Sequence, residues 1–237
     1  MSLEGKVVFV TGGTKGIGKA ICESFLDQNA IVYTCARNID PSLNGKINFL
    51  QADFNDDKSF DNLCTKVECL GVDILVNNAG INKIDFSTEV DLSDFEKIQK
   101  INVKRPFELS RLVMKSMAKK NWGRIVNITS IFGNVTKEKR VSYSTSKFAL
   151  KGMTKTLAVD GAKSNILVNS VAPGFIDTEL TRTVLSEADI ENLTSQVPMK
   201  RLGKPEEVAN LVVFLSSQKN SFITGQDIII DGGFTCV

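Results

Sequence analysis

The sequence predicts an α/β fold in which one parallel sheet is covered by helices on both faces. Two observations carry this expectation. Short β-rich runs alternate with helical patterns along most of the 237 residues, the rhythm of strand–helix–strand crossovers. Several of these runs, VVFV, DILV and RIVNI among them, are nearly unbroken in apolar residues, and a strand without alternation is one buried on both faces. The first strand reads at 6–11 and is followed at once by a glycine-rich turn and an amphipathic helix. Strands at 31–35 and 47–52 come next, each ending in polar residues. DILVN at 73–77 comes after a helical pattern, and 124–129 follows after a long helical stretch. A strand at 167–171 precedes Pro173-Gly174, and 227–230 closes the chain. The region from 175 to about 202 breaks the rhythm, being polar and helical in places. Loops at the carboxyl ends of parallel strands carry ligands, so this insertion reads as a substrate lid. No repeat, low-complexity tract or Pro/Gly-rich linker marks a second domain, and 1–237 reads as a single domain.

Composition narrows the chemistry. The 29 basic and 27 acidic residues nearly cancel, which gives no overall pull toward nucleic acid or membrane. No apolar stretch approaches the roughly 18 residues of a spanning helix, and MSLEGKVVFV lacks a charged leader; a cytoplasmic protein is expected. Cysteines 22, 35, 64, 69 and 236 form no CxxC pair, and with no histidine anywhere they offer no familiar zinc spacing. No metal is expected. The lack of histidine also removes the commonest general acid/base, so another group must move any proton.

Tyr143 and Lys147 in SYSTSKFAL are four residues apart and share one face of a helix. Ser130 lies upstream at the end of an apolar run. A free tyrosine titrates near 10, and lowering it by roughly 3 units would take about 4 kcal/mol of differential stabilisation; a nearby ammonium has the right sign. The glycine turn TGGTKGIG places Gly12, Gly16 and Gly18 between a strand and a helix N-terminus, where backbone N–H groups can face a pyrophosphate. Its GxxxGxG spacing differs from the common GxGxxG.

Taken in order, TGGTKGIG, Asp53, NNAG at 77–80, Asn102, Ser130, the Tyr143/Lys147 pair and PGFIDT at 173–178 resemble the short-chain dehydrogenase/reductase family over essentially the whole chain. The resemblance implies a single-domain Rossmann-type doubly wound fold with seven parallel strands, a nicotinamide cofactor and a homotetramer. It implies Tyr143 as proton donor, Ser130 as hydrogen-bond partner of the substrate oxygen, and Lys147 as the holder of the nicotinamide ribose. Asn102 matches the residue that holds a water linking the lysine to solvent. Gly12, Thr14, Lys15, Gly16, Ile17 and Gly18 would line the phosphates. Asp53 and Phe54 would meet the adenine; Asn78, Ala79 and Gly80 its ribose; and Pro173, Gly174, Ile176 and Thr178 the nicotinamide side.

Cofactor choice follows from charge. NAD sites place a carboxylate at the end of the second strand, whereas a 2′-phosphate needs cations there. The expected acidic position is Ala36, followed by Arg37, and Lys15 lies in the glycine loop; two cations and no carboxylate favour NADP(H). Each residue also has an ordinary structural reading: Lys15, Arg37 and Lys147 as solvated charges, Asp53 and Asn102 as helix caps, Tyr143 as a packed aromatic, Ser130 as a turn residue.

NWGRIVNITS, SYSTSKFALKGMTK, NSVAPGFIDTELT and FITGQDIIIDGG look most similar to 3-oxoacyl-acyl-carrier-protein reductases. These imply reduction of a small or carrier-bound 3-oxoacyl thioester, with an acyl carrier protein as a possible partner. Arg124 matches one carrier-docking position; the second, just before Ile166, holds Ser164, with Lys163 adjoining. A departure lies between Phe132 and Tyr143, where Lys137, Glu138, Lys139 and Arg140 form a charged run in place of a small neutral loop. Those charges shape a site for an anionic or sugar-like substrate, or form a solvated loop. A dehydrogenase of a sugar, polyol or small secondary alcohol is therefore the alternative, and a non-catalytic NADP-binding regulator a further one.

Overall fold

The computed structural model describes residues 3–184 and 186–237. Its strands are β1 (Val7–Thr11), β2 (Ile31–Ala36), β3 (Asn48–Gln51), β4 (Ile74–Asn77), β5 (Gly123–Ile128), β6 (Ile166–Pro173) and β7 (Asp227–Ile230). All seven lie within two residues of the ranges expected from hydropathy. They form one parallel sheet in the order β3-β2-β1-β4-β5-β6-β7. The order reverses between β1 and β4, and the crevice at that switch point is where open α/β sheets bind ligands.

The unbroken apolar strands are explained by what covers them. Val8, Val10, Ile74, Val76 and Val126 face helices α1 (Gly16–Leu26) and α8 (Pro205–Ser216), packing on Ile21, Phe25, Val208 and Val212. Phe9, Leu75, Ile125 and Val168 point the other way, onto α2 (Asp57–Leu70), α4 (Arg105–Lys120) and α5 (Val141–Gly161), where Phe60, Leu63, Leu109, Val113 and Leu157 complete a second core. Each fully buried side chain of this kind contributes about 1.5–3 kcal/mol.

Helix α3 (Leu92–Gln99) runs into α4 through a π-helical turn, Lys100–Lys104. The segment after β6 holds two short helices, α6 (Glu179–Val184) and α7 (Glu187–Gln196). Its two ends are tied together by an Ile176–Gly203 bridge, with Asp177 N–H donating to Gly203 O at 2.8 Å and Gly203 N–H to Phe175 O at 2.9 Å. Among the described residues no helix is long and apolar enough to cross a membrane.

Candidate active site

At the carboxyl end of β1 the glycine turn is built by close approach. Gly12 and Gly16 have φ of +69° and +52°, conformations that favour glycine. A Cβ on Gly18 would overlap the Gly12 carbonyl oxygen and come within 2.5 Å of Asn78 Nδ2, so no larger residue fits there without moving backbone. Thr11 locks the turn to the end of β4. Its hydroxyl accepts from the N–H groups of Asn78 and Ala79 at 3.0 and 2.9 Å, while Asn78 Nδ2 donates to the carbonyls of Thr11 and Gly12. Thr178 reaches the same turn from the far side, its Cγ2 lying 3.3 Å from where a Gly16 Cβ would stand. The sequence-predicted residues Gly12, Gly16, Gly18, Asn78, Ala79 and Thr178 thus come together around a cradle lined by backbone, which fits a dinucleotide's phosphates.

The second cluster sits at the carboxyl end of β5. Ser130, in extended backbone, caps a 3-10 turn at Ile131–Gly133. Gly133 lets that turn press on α5: its Cβ would be 3.2 Å from Lys147 O. The Ser130 side chain lies by the Tyr143 phenol, where it favours the ionised form. Lys147 is only 4% exposed, donates to Ile128 O at 2.8 Å and holds its Nζ 5.4 Å from the Tyr143 ring centre. It is no solvated surface charge. Burial pulls its ammonium down to about 8.

Tyr143 moves against the expectation from its sequence neighbours. Burial raises its pKa; the Ser130 side chain and the Arg140 charge lower it by less. The protein's own groups therefore keep the phenol protonated, the form a proton donor needs.

Asn102 is neither a cap nor exposed. It is buried inside the π-turn, exchanges two 2.9 Å hydrogen bonds with the backbone of Ile81, and donates to Ser146 Oγ at 3.0 Å. Ser146 in turn donates to Tyr143 O at 2.7 Å. Sequence reasoning passed over Ser146, although it stands between the tyrosine and the lysine in SYSTSK. Gly80 completes the wall, since a side chain there would crowd Asn102 Oδ1 at 3.3 Å and Lys147 Nζ at 3.8 Å.

Other expectations need correction. Asp53 is not a helix cap: Asp56 caps α2, accepting from Ser59 N–H, while Asp53 accepts from Asn55 N–H. The Phe54 ring packs edge-on against Phe60 and its carbonyl accepts from Arg105 Nε. Nor is the 2′-phosphate corner free of carboxylate. Arg37 is exposed at the end of β2, but Lys15 lies 3.6 Å from Asp40, and Lys19 donates to Ser42 beside it. Three cations still outnumber that one acid.

Arg124, expected at a carrier-docking position, is 3% exposed. Its guanidinium donates to the carbonyls of Gly123, Asn165 and Asn220 and stacks on Trp122. It opens β5 at the end opposite Ser130, about 20 Å away along a six-residue strand. In the charged run only Lys137 and Glu138 are exposed. Lys139, with φ of +63°, lays its Nζ over the Phe86 ring, and Arg140 lies over Phe132; this half of the loop is packed, not solvated.

Phosphate cradle and proton-transfer set meet at the carboxyl ends of the central strands β1, β4 and β5, and that pairing defines a nicotinamide-dependent oxidoreductase. Comparison with known proteins agrees. A family profile described as enoyl-(acyl carrier protein) reductase matches residues 12–235. A 3-oxoacyl-acyl-carrier-protein reductase of Aquifex aeolicus is 39% identical, the alignment covering 98% of each chain. Among solved structures, a putative NAD(P)-dependent gluconate 5-dehydrogenase from Beutenbergia cavernae with bound NADP superposes with a TM-score of 0.93 at 30% identity, covering 100% of this chain and 99% of that one. ElxO with NADP bound gives 0.90 at 34% identity, covering 98% and 100%. The chain belongs to the short-chain dehydrogenase/reductase family, and it is an NADP-dependent oxidoreductase acting on C=O/CH–OH groups.

Proposed function

We propose that the enzyme reduces 3-oxoacyl thioesters to 3-hydroxyacyl thioesters, with acyl carrier protein or a smaller thiol as the acyl bearer. The full-length similarity to a 3-oxoacyl-acyl-carrier-protein reductase, joined to the buried Lys147 ammonium 5.4 Å from the centre of the Tyr143 ring, carries this reading.

When bound, the reduced nicotinamide supplies a hydride to the carbonyl carbon. Tyr143 gives its phenolic proton to the carbonyl oxygen as negative charge develops there. Ser130 donates a hydrogen bond to the same oxygen. The Lys147 ammonium stabilises the tyrosinate left behind and holds the nicotinamide ribose. Asn102 and Ser146 fix the backbone that carries both, and Asn102 holds the water by which Lys147 regains contact with solvent.

For the cofactor, Gly12, Thr14, Gly16, Ile17 and Gly18 take the phosphates, and Lys15 and Arg37 the 2′-phosphate. Asp53 and Phe54 take the adenine, Asn78, Ala79 and Gly80 the adjacent ribose, and Pro173, Gly174, Ile176 and Thr178 the nicotinamide side. The segment from 175 to about 202 closes over the substrate. The protein works in the cytoplasm as a homotetramer, with no nucleic-acid or membrane partner.

Loss of NADPH absorbance with acetoacetyl thioester, and none with crotonyl thioester, tests the reading, because only the 3-ketone carries an oxygen on the carbon that takes the hydride, where Tyr143 can protonate it. Tyr143→Phe should lose about 10²–10⁴-fold in kcat while its NADPH dissociation constant changes little. A variant retaining a tenth of the wild-type rate would sink Tyr143 as the acid.

A further inference from the structure

Asp227 opens β7 with its side chain only 4% exposed, and polar groups from the segment after β5, from β6 and from α5 close on its carboxylate. Oδ1 lies 2.8 Å from Thr129 Oγ1 and accepts from Ser170 Oγ at 2.6 Å. Oδ2 accepts from Asn134 Nδ2 at 2.8 Å and stands 3.6 Å from Lys151 Nζ. Lys151 Nζ also donates to Asn134 Oδ1, so both ends of the Asn134 amide are held. Thr129 immediately precedes Ser130, and Asn134 closes the 3-10 turn that Ser130 caps. The chain on either side of Ser130 is therefore fastened to one carboxylate. Lys151 leaves α5 one turn after Lys147, on the same face, and ties that carboxylate to the helix bearing Tyr143 and Lys147.

The sheet closes without this cluster. Backbone pairing already joins Ser170–Pro173 of β6 to Asp227–Ile230 of β7. A buried ion pair is often no more stabilising than apolar residues of the same volume. What it supplies is direction, because charge-assisted hydrogen bonds fix the atoms they join. Direction matters most at Ser130, since misplacing a reacting or hydrogen-bonding group by about 1 Å can cost about 10²-fold in rate. The bond from Phe132 N–H to Ser130 Oγ, at 3.2 Å, lies inside the turn and does not set the hydroxyl relative to α5.

We infer that Asn134, Lys151 and Asp227 are positioning residues for the reduction, holding the Ser130 hydroxyl in register with the Tyr143 phenol so that both reach one carbonyl oxygen. They act through Ser130 and take no part in making or breaking bonds. The inference rests on the roles proposed above for Ser130 and Tyr143 and is independent of the acyl bearer.

The test is a double-mutant cycle on the intact enzyme, read as single-turnover oxidation of NADPH by the N-acetylcysteamine thioester of acetoacetate. Ser130→Ala should slow the reaction about 10²-fold. Asn134→Ala and Lys151→Met should each slow it at least about tenfold, with the NADPH dissociation constant within about twofold of wild type, and Lys151→Arg should recover part of the loss. In the Ser130→Ala background the same two substitutions should cost less than about twofold, because the hydroxyl they aim is gone. A merely structural cluster would cost the same in both backgrounds. Should Lys151→Met fail to fold, Lys151→Met/Asp227→Asn, which leaves no unpaired buried charge, takes its place in the cycle. Wild-type turnover by Asn134→Ala, or equal losses with and without Ser130, would overturn the inference while leaving Ser130 in the reaction. Ser130→Ala at the wild-type rate would overturn the role proposed for Ser130 itself, and this inference with it.

Discussion

Lys147 carries an ammonium into the core of the protein, held by one backbone carbonyl and depressed to about 8 by burial. The sign of its effect on stability follows. An unfolded lysine titrates near 10.4, so between pH 8 and that value the unfolded state binds more protons and stability rises with pH; below 8 the burial penalty is fully present. Lys147→Met should therefore abolish reduction yet raise stability at pH 7 by about 2–3 kcal/mol, after allowing for the lost donor to Ile128 O. That gain should vanish as pH approaches 10.5. Denaturant melts at pH 7 and 10 check this; a variant less stable than wild type at pH 7 would refute it. A residue that destabilises its own fold in this way is better explained by chemistry than by packing.

The helices and turns hold such residues in place, and the glycines divide according to whether geometry needs them. Gly18 has no room for a side chain, whereas Gly152, exposed in the middle of α5, has nothing within 4 Å of a built Cβ. Gly18→Ala should weaken NADPH binding at least about tenfold or destabilise by several kcal/mol, while Gly152→Ala should stabilise by about 0.4–1 kcal/mol. Isothermal binding and thermal melts separate the two; similar behaviour of both variants would contradict the cradle. The glycine turn was legible because strand, glycines and helix start are contiguous in sequence. The π-turn at Lys100–Lys104 was not. Its residues continue a helical pattern from α3 into α4, and only the bonds from Asn102 to Ile81 and Ser146 reveal what the extra residue in the turn accomplishes.

Over the whole molecule, Arg124 shows how a motif position can change its work. Two of its three bonds join β5 to the loops at Asn165 and Asn220, at the end of the sheet away from the cradle. Arg124→Ala should cost about 2–4 kcal/mol and lower the melting temperature by about 5–10 °C, with no specific rise in KM for acyl carrier protein relative to a thiol ester. A raised KM for the carrier at unchanged stability would restore the docking role. The opposite face of the site is set by Asp227, which accepts from Thr129, Ser170 and Asn134 and lies 3.6 Å from Lys151. This network joins β5, β6 and β7 to the loop that leads toward Arg140.

The sequence determined the sheet through local hydropathy and pointed to the cradle through contiguous glycines and to the Tyr143/Lys147 pair through its helical spacing, whereas Ser130 and Asn102 joined that set only through a family resemblance spread over distant motifs. Tertiary structure decided what depends on surroundings: that Tyr143 is held protonated, that Lys147 is buried, that Asp40 stands across Lys15, that Arg124 is a clamp, and that Arg140 stacks on Phe132 beside the proton donor. Charge and burial are set by neighbours remote along the chain, and a residue's type does not say which of its hydrogen bonds the fold has already filled.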